Sequence, residues 1–149
     1  MPYSTVVVGT DGSVTAEVAV RHAGQLAADH EARLVVVTAY EPHGDDLVKD
    51  TRGVPTDIEW ALTDRHQAEE KALRGRALAS DAGAGTVVVH AVSGSPPDVL
   101  LGAAQDFDAD VIIVGSKGLT GAARFVLGSV ASAVSHHAPC DVLIVHTTG

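Results

Sequence analysis

Five short apolar runs rich in Val and Ile alternate with stretches of helical period. Tyr3–Val8, Arg33–Tyr40, Thr86–Ala91, Asp110–Val114 and Asp141–Val145 are continuous rather than alternating in polarity, as expected of strands covered on both faces. Between the first two, Val14, Val18, Ala19, Ala23, Leu26 and Ala27 form a helical stripe over residues 13–29. A long helix is predicted from Ile58 to Ser80, stopped around Asp81–Gly85. Ser95-Pro-Pro-Asp98 supplies a capping hydroxyl, prolines for the first turn and an acidic residue at the positive end of the dipole. That helix runs to about Asp106, and a fourth spans Ser129–His137. Glu41–Thr56 has no clean period and is expected to be a lid or a mobile loop.

Strands interleaved with helices predict an α/β domain: an open five-stranded parallel sheet with helices on both faces. An order such as 3-2-1-4-5 would set the first and fourth strands beside the crevice where ligands bind in such sheets. No linker, low-complexity tract or repeat divides the chain, so residues 1–149 are expected to form one domain.

With Cys140 the only cysteine, no internal disulfide is possible, and a reducing, cytoplasmic setting is expected. The start lacks signal-peptide character, and no apolar run is long enough to span a membrane. Nineteen acidic against ten basic side chains give a formal charge of −9, and only 3% of residues are aromatic. That balance argues against nucleic acid as a partner, which needs a basic face or a stacking platform.

The same charge would repel a polyanion at long range, so any phosphate site must rely on local donors. Such donors are offered after the fourth strand, where Gly115-Ser-Lys-Gly118 is followed nine residues later by Gly128-Ser129. A strand that ends in glycines and opens a helix lets the backbone approach an anion, with free N–H groups aimed at it. The first strand also ends in a glycine turn, Gly9-Thr10-Asp11-Gly12. Neither the P-loop nor the dinucleotide fingerprint occurs. His136, His137 and Cys140 lack further nearby ligands for zinc, and no metal or catalytic residue is assigned.

Over nearly its whole length the chain resembles the universal stress protein family, in its nucleotide-binding branch. The likeness rests on Val-Val-Val-Gly-Thr-Asp-Gly-Ser13, on Gly115-x2-Gly118-x9-Gly128-Ser129 and on the closing Asp-Val-Leu-Ile-Val145. It implies a Rossmann-like fold of the adenine nucleotide alpha hydrolase type.

The resemblance further implies that Gly9, Thr10 and Asp11 face a ribose, with an Asx turn or helix cap as the alternative role for Asp11. It puts the backbone of Ala39 at the adenine edge. Gly115, Ser116, Gly118, Leu119, Thr120, Gly121, Gly128, Ser129 and Val130 would hold phosphates, with Lys117 and Arg124 as charge partners. The implied ligand is ATP, with Mg²⁺, or cyclic AMP, bound by a stress sensor, switch or reservoir. Slow ATP hydrolysis, cyclic AMP selectivity, or a dimeric scaffold with an unused site are the alternatives. The family likeness also implies a homodimer through the apolar edge strand Asp141–Val145.

Overall fold

Every strand pairs in parallel, so the carboxyl ends of all five lie along one edge of the sheet. The computed structural model describes residues 3–41, 55–116 and 128–146, with backbone alone for 55–63. In chain order the elements are β1 (Thr5–Gly9), α1 (Val14–His30), β2 (Arg33–Tyr40), α2 (Pro55–Asp81), β3 (Thr86–Ser93), α3 (Pro96–Asp106), β4 (Val111–Gly115), α4 (Ser129–His137) and β5 (Asp141–Val145). The sheet order is β3-β2-β1-β4-β5, which is the 3-2-1-4-5 arrangement expected from the sequence. Central β1 is held on both sides, with Val7 opposite Val35 and Ile112.

Alternation along each strand divides the core between the two faces of the sheet. Val6, Val8, Leu34, Val36, Val111 and Ile113 pack with Ala19, Val20, Ala23 and Ala27 of α1 and Ala79 of α2. Val7, Val35, Val37, Ile112 and Val114 pack on the opposite face with Val99, Leu100, Ala103 and Ala104 of α3 and Ala131 and Val134 of α4. The helices reach this core with small side chains, which lets them lie close. A Cβ at Gly24 of α1 would stand 2.7 Å from the Ala79 carbonyl oxygen, and one at Gly75 of α2 would stand 2.8 Å from Val36 Cγ1. Two glycines therefore set the spacing of α1, α2 and β2.

Several boundaries and roles differ from the sequence expectation. Val14 belongs to the predicted apolar stripe, yet it is 78% exposed, because the first turn of α1 overhangs the sheet edge and the buried face begins at Ala19. Helix α2 starts at Pro55 rather than Ile58, which suits a residue with no N–H to lose at a helix start. Ser95 is the N-cap of α3 but makes no side-chain cap bond. The prolines following it remove two of the first-turn donors, leaving the Asp98 N–H. The segments 42–54 and 117–127, which include most of the Glu41–Thr56 loop, lie outside the described residues.

Two substitutions test this packing. Gly24→Ala gains about 1 kcal/mol of helix propensity but must push α1 off the Ala79 carbonyl, for a net loss of about 1–3 kcal/mol in denaturant unfolding. Thr38, 2% exposed on β2, has a hydroxyl with no hydrogen-bond partner among the described residues. Because Val keeps its shape and removes the orphaned group, Thr38→Val is expected to leave stability unchanged or raise it by about 1 kcal/mol. A clear loss would mean that the hydroxyl has a partner.

Candidate functional site

The two ends of the sheet treat their backbone donors differently. At the amino end, Asp110 Oδ2 accepts from the N–H groups of Ser4 at 2.7 Å and Thr5 at 3.0 Å. Nearby, the Tyr3 hydroxyl donates to Asp141 at 3.0 Å, and this bond, with burial, holds the phenol above its usual pKa. Burial, reinforced by Asp141 and Asp110, likewise pushes the Cys140 thiol up, away from the reactive thiolate. This end closes on itself.

The carboxyl end does not close. Helix α4 begins behind Gly128, a cap residue with no side chain to offer, so Ser129, Val130 and Ala131 present first-turn N–H groups with no partner among the described residues. The positive end of the helix dipole lies at the same point. Gly128 itself differs from the expectation that its N–H would meet phosphate. It donates to the Ser116 carbonyl at 2.9 Å, while the Ser116 N–H donates to Val145 at 2.7 Å. These two bonds tie Ser116 to β5 and Gly128 to Ser116. The Ala131 N–H, which the sequence analysis did not include, has no partner among the described residues at the same helix start.

Beside this helix start is a cleft of about 210 Å³. Since a roughly 150 Å³ apolar cavity takes a benzene ring, the space suits a heterocyclic base. It lies over the ends of β1, β2 and β4, where the chain leaves β1 for α1 on one face of the sheet and β4 for α4 on the other. The β2 side is apolar, formed by Val37 and Ala39 with Pro96, Val99 and Leu100 of α3. The α4 side is formed by Gly115, Gly128, Ser129, Val130 and Ala131. A Cβ on Gly9 would meet the Leu100 side chain at 3.0 Å, so the glycine gives α3 its close seat over β1.

The β1–α1 turn is the third wall, carrying Thr10, Asp11, Ser13 and Thr15. Thr10 N–H continues the ladder to Val37 at 2.9 Å, and Thr10 Oγ1 accepts from Gly12 N–H at 3.1 Å. Asp11 Oδ1 accepts from Ser13 N–H at 2.9 Å, so the Asx turn open to it from sequence does form while the residue still lines the cleft. Ser13 Oγ in turn caps Ala16 N–H at 3.2 Å.

The structure thus gathers Gly9, Thr10, Asp11, Ala39, Gly115, Gly128, Ser129 and Val130 around one cleft. Ser116 acts through its backbone, outside the lining. Lys117, Gly118, Leu119, Thr120, Gly121 and Arg124 lie outside the described residues. Reasoning from sequence missed the α3 wall, because Pro96, Val99 and Leu100 carry only the pattern of an ordinary buried helix. Among the described residues no three His, Cys, Asp or Glu side chains gather as a metal site, and no helix is long and apolar enough to cross a membrane.

Known proteins match both the sequence and this architecture. Universal stress protein Rv1636 of Mycobacterium tuberculosis (strain ATCC 25618 / H37Rv) is 40% identical over 151 residues, covering 98% of each chain. A crystal structure of a universal stress protein in complex with cAMP superposes with a TM-score of 0.75 at 35% identity, covering 99% of this chain and 100% of that one. The universal stress protein from Archaeoglobus fulgidus in complex with dAMP superposes with a TM-score of 0.68 at 26% identity, covering 97% and 98%. The model of the universal stress protein family matches residues 2–146. With this family match and a 3-2-1-4-5 sheet in place, the chain belongs to the universal stress protein family.

Proposed function

We propose that this protein binds an adenine nucleotide in the cleft over β1, β2 and β4 and acts as a sensor, switch or reservoir for it. The observation that carries the reading is the pairing of an apolar pocket with the N–H groups of Ser129, Val130 and Ala131 at its far side, which have no partner among the described residues. The base lies on the β2 side against Val37, Ala39, Val99 and Leu100, and the phosphate meets the α4 start. Asp11, held by Ser13 N–H, faces the ribose, and the Ala39 backbone meets the base edge. The complexes of similar proteins with cAMP and dAMP support the choice of adenine nucleotide.

In this reading Lys117 and Arg124 supply charge, while Ser116, Gly118, Leu119, Thr120 and Gly121 complete the phosphate loop. ATP carries about four negative charges and would bring Mg²⁺ to bridge its phosphate oxygens. Cyclic AMP carries one, which a helix start and few cations neutralise more completely. We read the site as accepting both. Binding rather than turnover is favoured because Asp11 is the one carboxylate among the described residues that line the cleft, and in this reading it is committed to the ribose.

Calorimetric titration with ATP, with and without Mg²⁺, and with cyclic AMP tests the reading. Saturable binding is expected for both nucleotides, weakened at least about tenfold by Gly118→Val, whose added methyls occupy the approach to the phosphate. Equal binding by the parent and Gly118→Val would overturn the glycine-loop site.

We also propose a homodimer through β5. This strand ends the sheet, and its Leu143 is 41% exposed, an apolar edge that a second copy would cover. Light scattering is expected to give twice the chain mass at micromolar concentration. Leu143→Pro, and more mildly Leu143→Asp, should shift it to monomer, whereas a monomeric parent protein would refute the dimer.

A further inference from the structure

The described residues that line the cleft include one carboxylate, Asp11, and no cation. In a chain of net charge −9, an anionic ligand entering this space meets an unfavourable long-range field unless a cation stands close by. One does, on an element that the sequence reading did not connect with the site. Lys71 of α2 lays its stem across the β1–α1 turn, with Cγ, Cδ and Cε at 3.1, 3.3 and 3.5 Å from where a Gly12 Cβ would be. One further bond of about 1.5 Å keeps the ammonium within about 5 Å of that point. Gly12 is flanked by Asp11 and Ser13, and both of these line the cleft. Gly12 also has φ +82°, a conformation that glycine adopts without strain, and its missing Cβ leaves the room the lysine stem occupies.

Arg65, His66 and Arg74, neighbours of Lys71 on α2, each have a carboxylate partner. Arg65 reaches Glu69 at 3.9 Å, His66 reaches Glu70 at 2.9 Å, and Arg74 reaches Glu17 of α1 at 2.8 Å. Lys71 has no carboxylate within 4.0 Å among the described residues. The Arg74–Glu17 pair, one turn further along α2, tethers the helix to α1 and holds Lys71 over the turn. Among the described residues, Lys71 is thus an ammonium without an ion-pair partner at the back of the cleft's third wall.

We infer that Lys71 is a further ligand-binding residue, whose ammonium supplies positive potential to the anionic part of the ligand across the Gly12 turn. The inference rests on the proposed nucleotide site and adds a determinant of which nucleotide that site prefers. An interaction through potential rather than a fixed hydrogen bond grows with ligand charge and fades with salt. Lys71 therefore favours ATP over cyclic AMP and leaves adenosine unaffected.

The test compares parent protein, Lys71→Met, Lys71→Arg and Lys71→Glu in calorimetric titrations with adenosine, cyclic AMP and ATP at low and high salt. Met keeps most of the stem that packs on Gly12, and thermal unfolding of each variant checks that the fold is kept. Lys71→Met is expected to weaken ATP by about 3–10-fold and cyclic AMP by less than about 2-fold at low salt, with no change for adenosine. Lys71→Arg should restore parent affinity, Lys71→Glu should weaken ATP further, and high salt should erase the differences. Unchanged ATP binding by Lys71→Met, or an equal loss for all three ligands, would overturn the inference while leaving the nucleotide site standing. Failure of the parent protein to bind any of the three would instead overturn the site itself, and the role of Lys71 with it.

Discussion

Parallel pairing of all five strands is the constraint from which the rest follows. It sends every β-to-α turn to one edge of the sheet and every α-to-β return to the other. The return edge is closed by side chains such as Asp110, which takes up the N–H groups of Ser4 and Thr5. The turn edge carries the starts of the helices, where first-turn N–H groups have no partner inside their own helix. Helix α1 meets this need with Ser13, but α4 starts behind Gly128 and leaves its donors facing a cleft. The cleft thus lies beside a helix start that, unlike that of α1, has no side-chain cap.

Close packing makes that helix start a fixed feature rather than a fraying end. Small residues let helices lie directly on the valine-rich sheet: Gly24 against Ala79, Gly75 against Val36, and Leu100 over Gly9. The two backbone bonds of Ser116, to Val145 and from Gly128, tie the ends of the glycine loop to β5. Donors held on such a frame need little reordering when an anion arrives, which lowers the entropic cost of binding.

Much of this was legible in the chain because the strands are nearly pure Val and Ile and because glycines punctuate their ends. The continuous runs announced a doubly covered parallel sheet, and the paired glycine turns after β1 and β4 pointed to their shared crevice. What periodicity could not convey was the third dimension. Val14 fits the apolar stripe of α1 yet is exposed; Ser95 is a good capping type that makes no side-chain cap bond. The Gly128 N–H is taken up by the Ser116 carbonyl, a pairing that motif spacing does not convey. Lys71 lies some sixty residues from Gly12 in sequence, and only the side-by-side packing of α1 and α2 brings it there.

The central claim is that the α4 start and the β2 wall are two ends of one nucleotide site, and backbone amide NMR tests it most directly. Addition of ATP or cyclic AMP to the labelled protein is expected to move the amide resonances of Ser129, Val130 and Ala131 together with that of Ala39, leaving Ser4 and Thr5 in place. Shifts confined to the Ser4–Thr5 end of the sheet, or none at Ser129–Ala131 at saturating nucleotide, would contradict it.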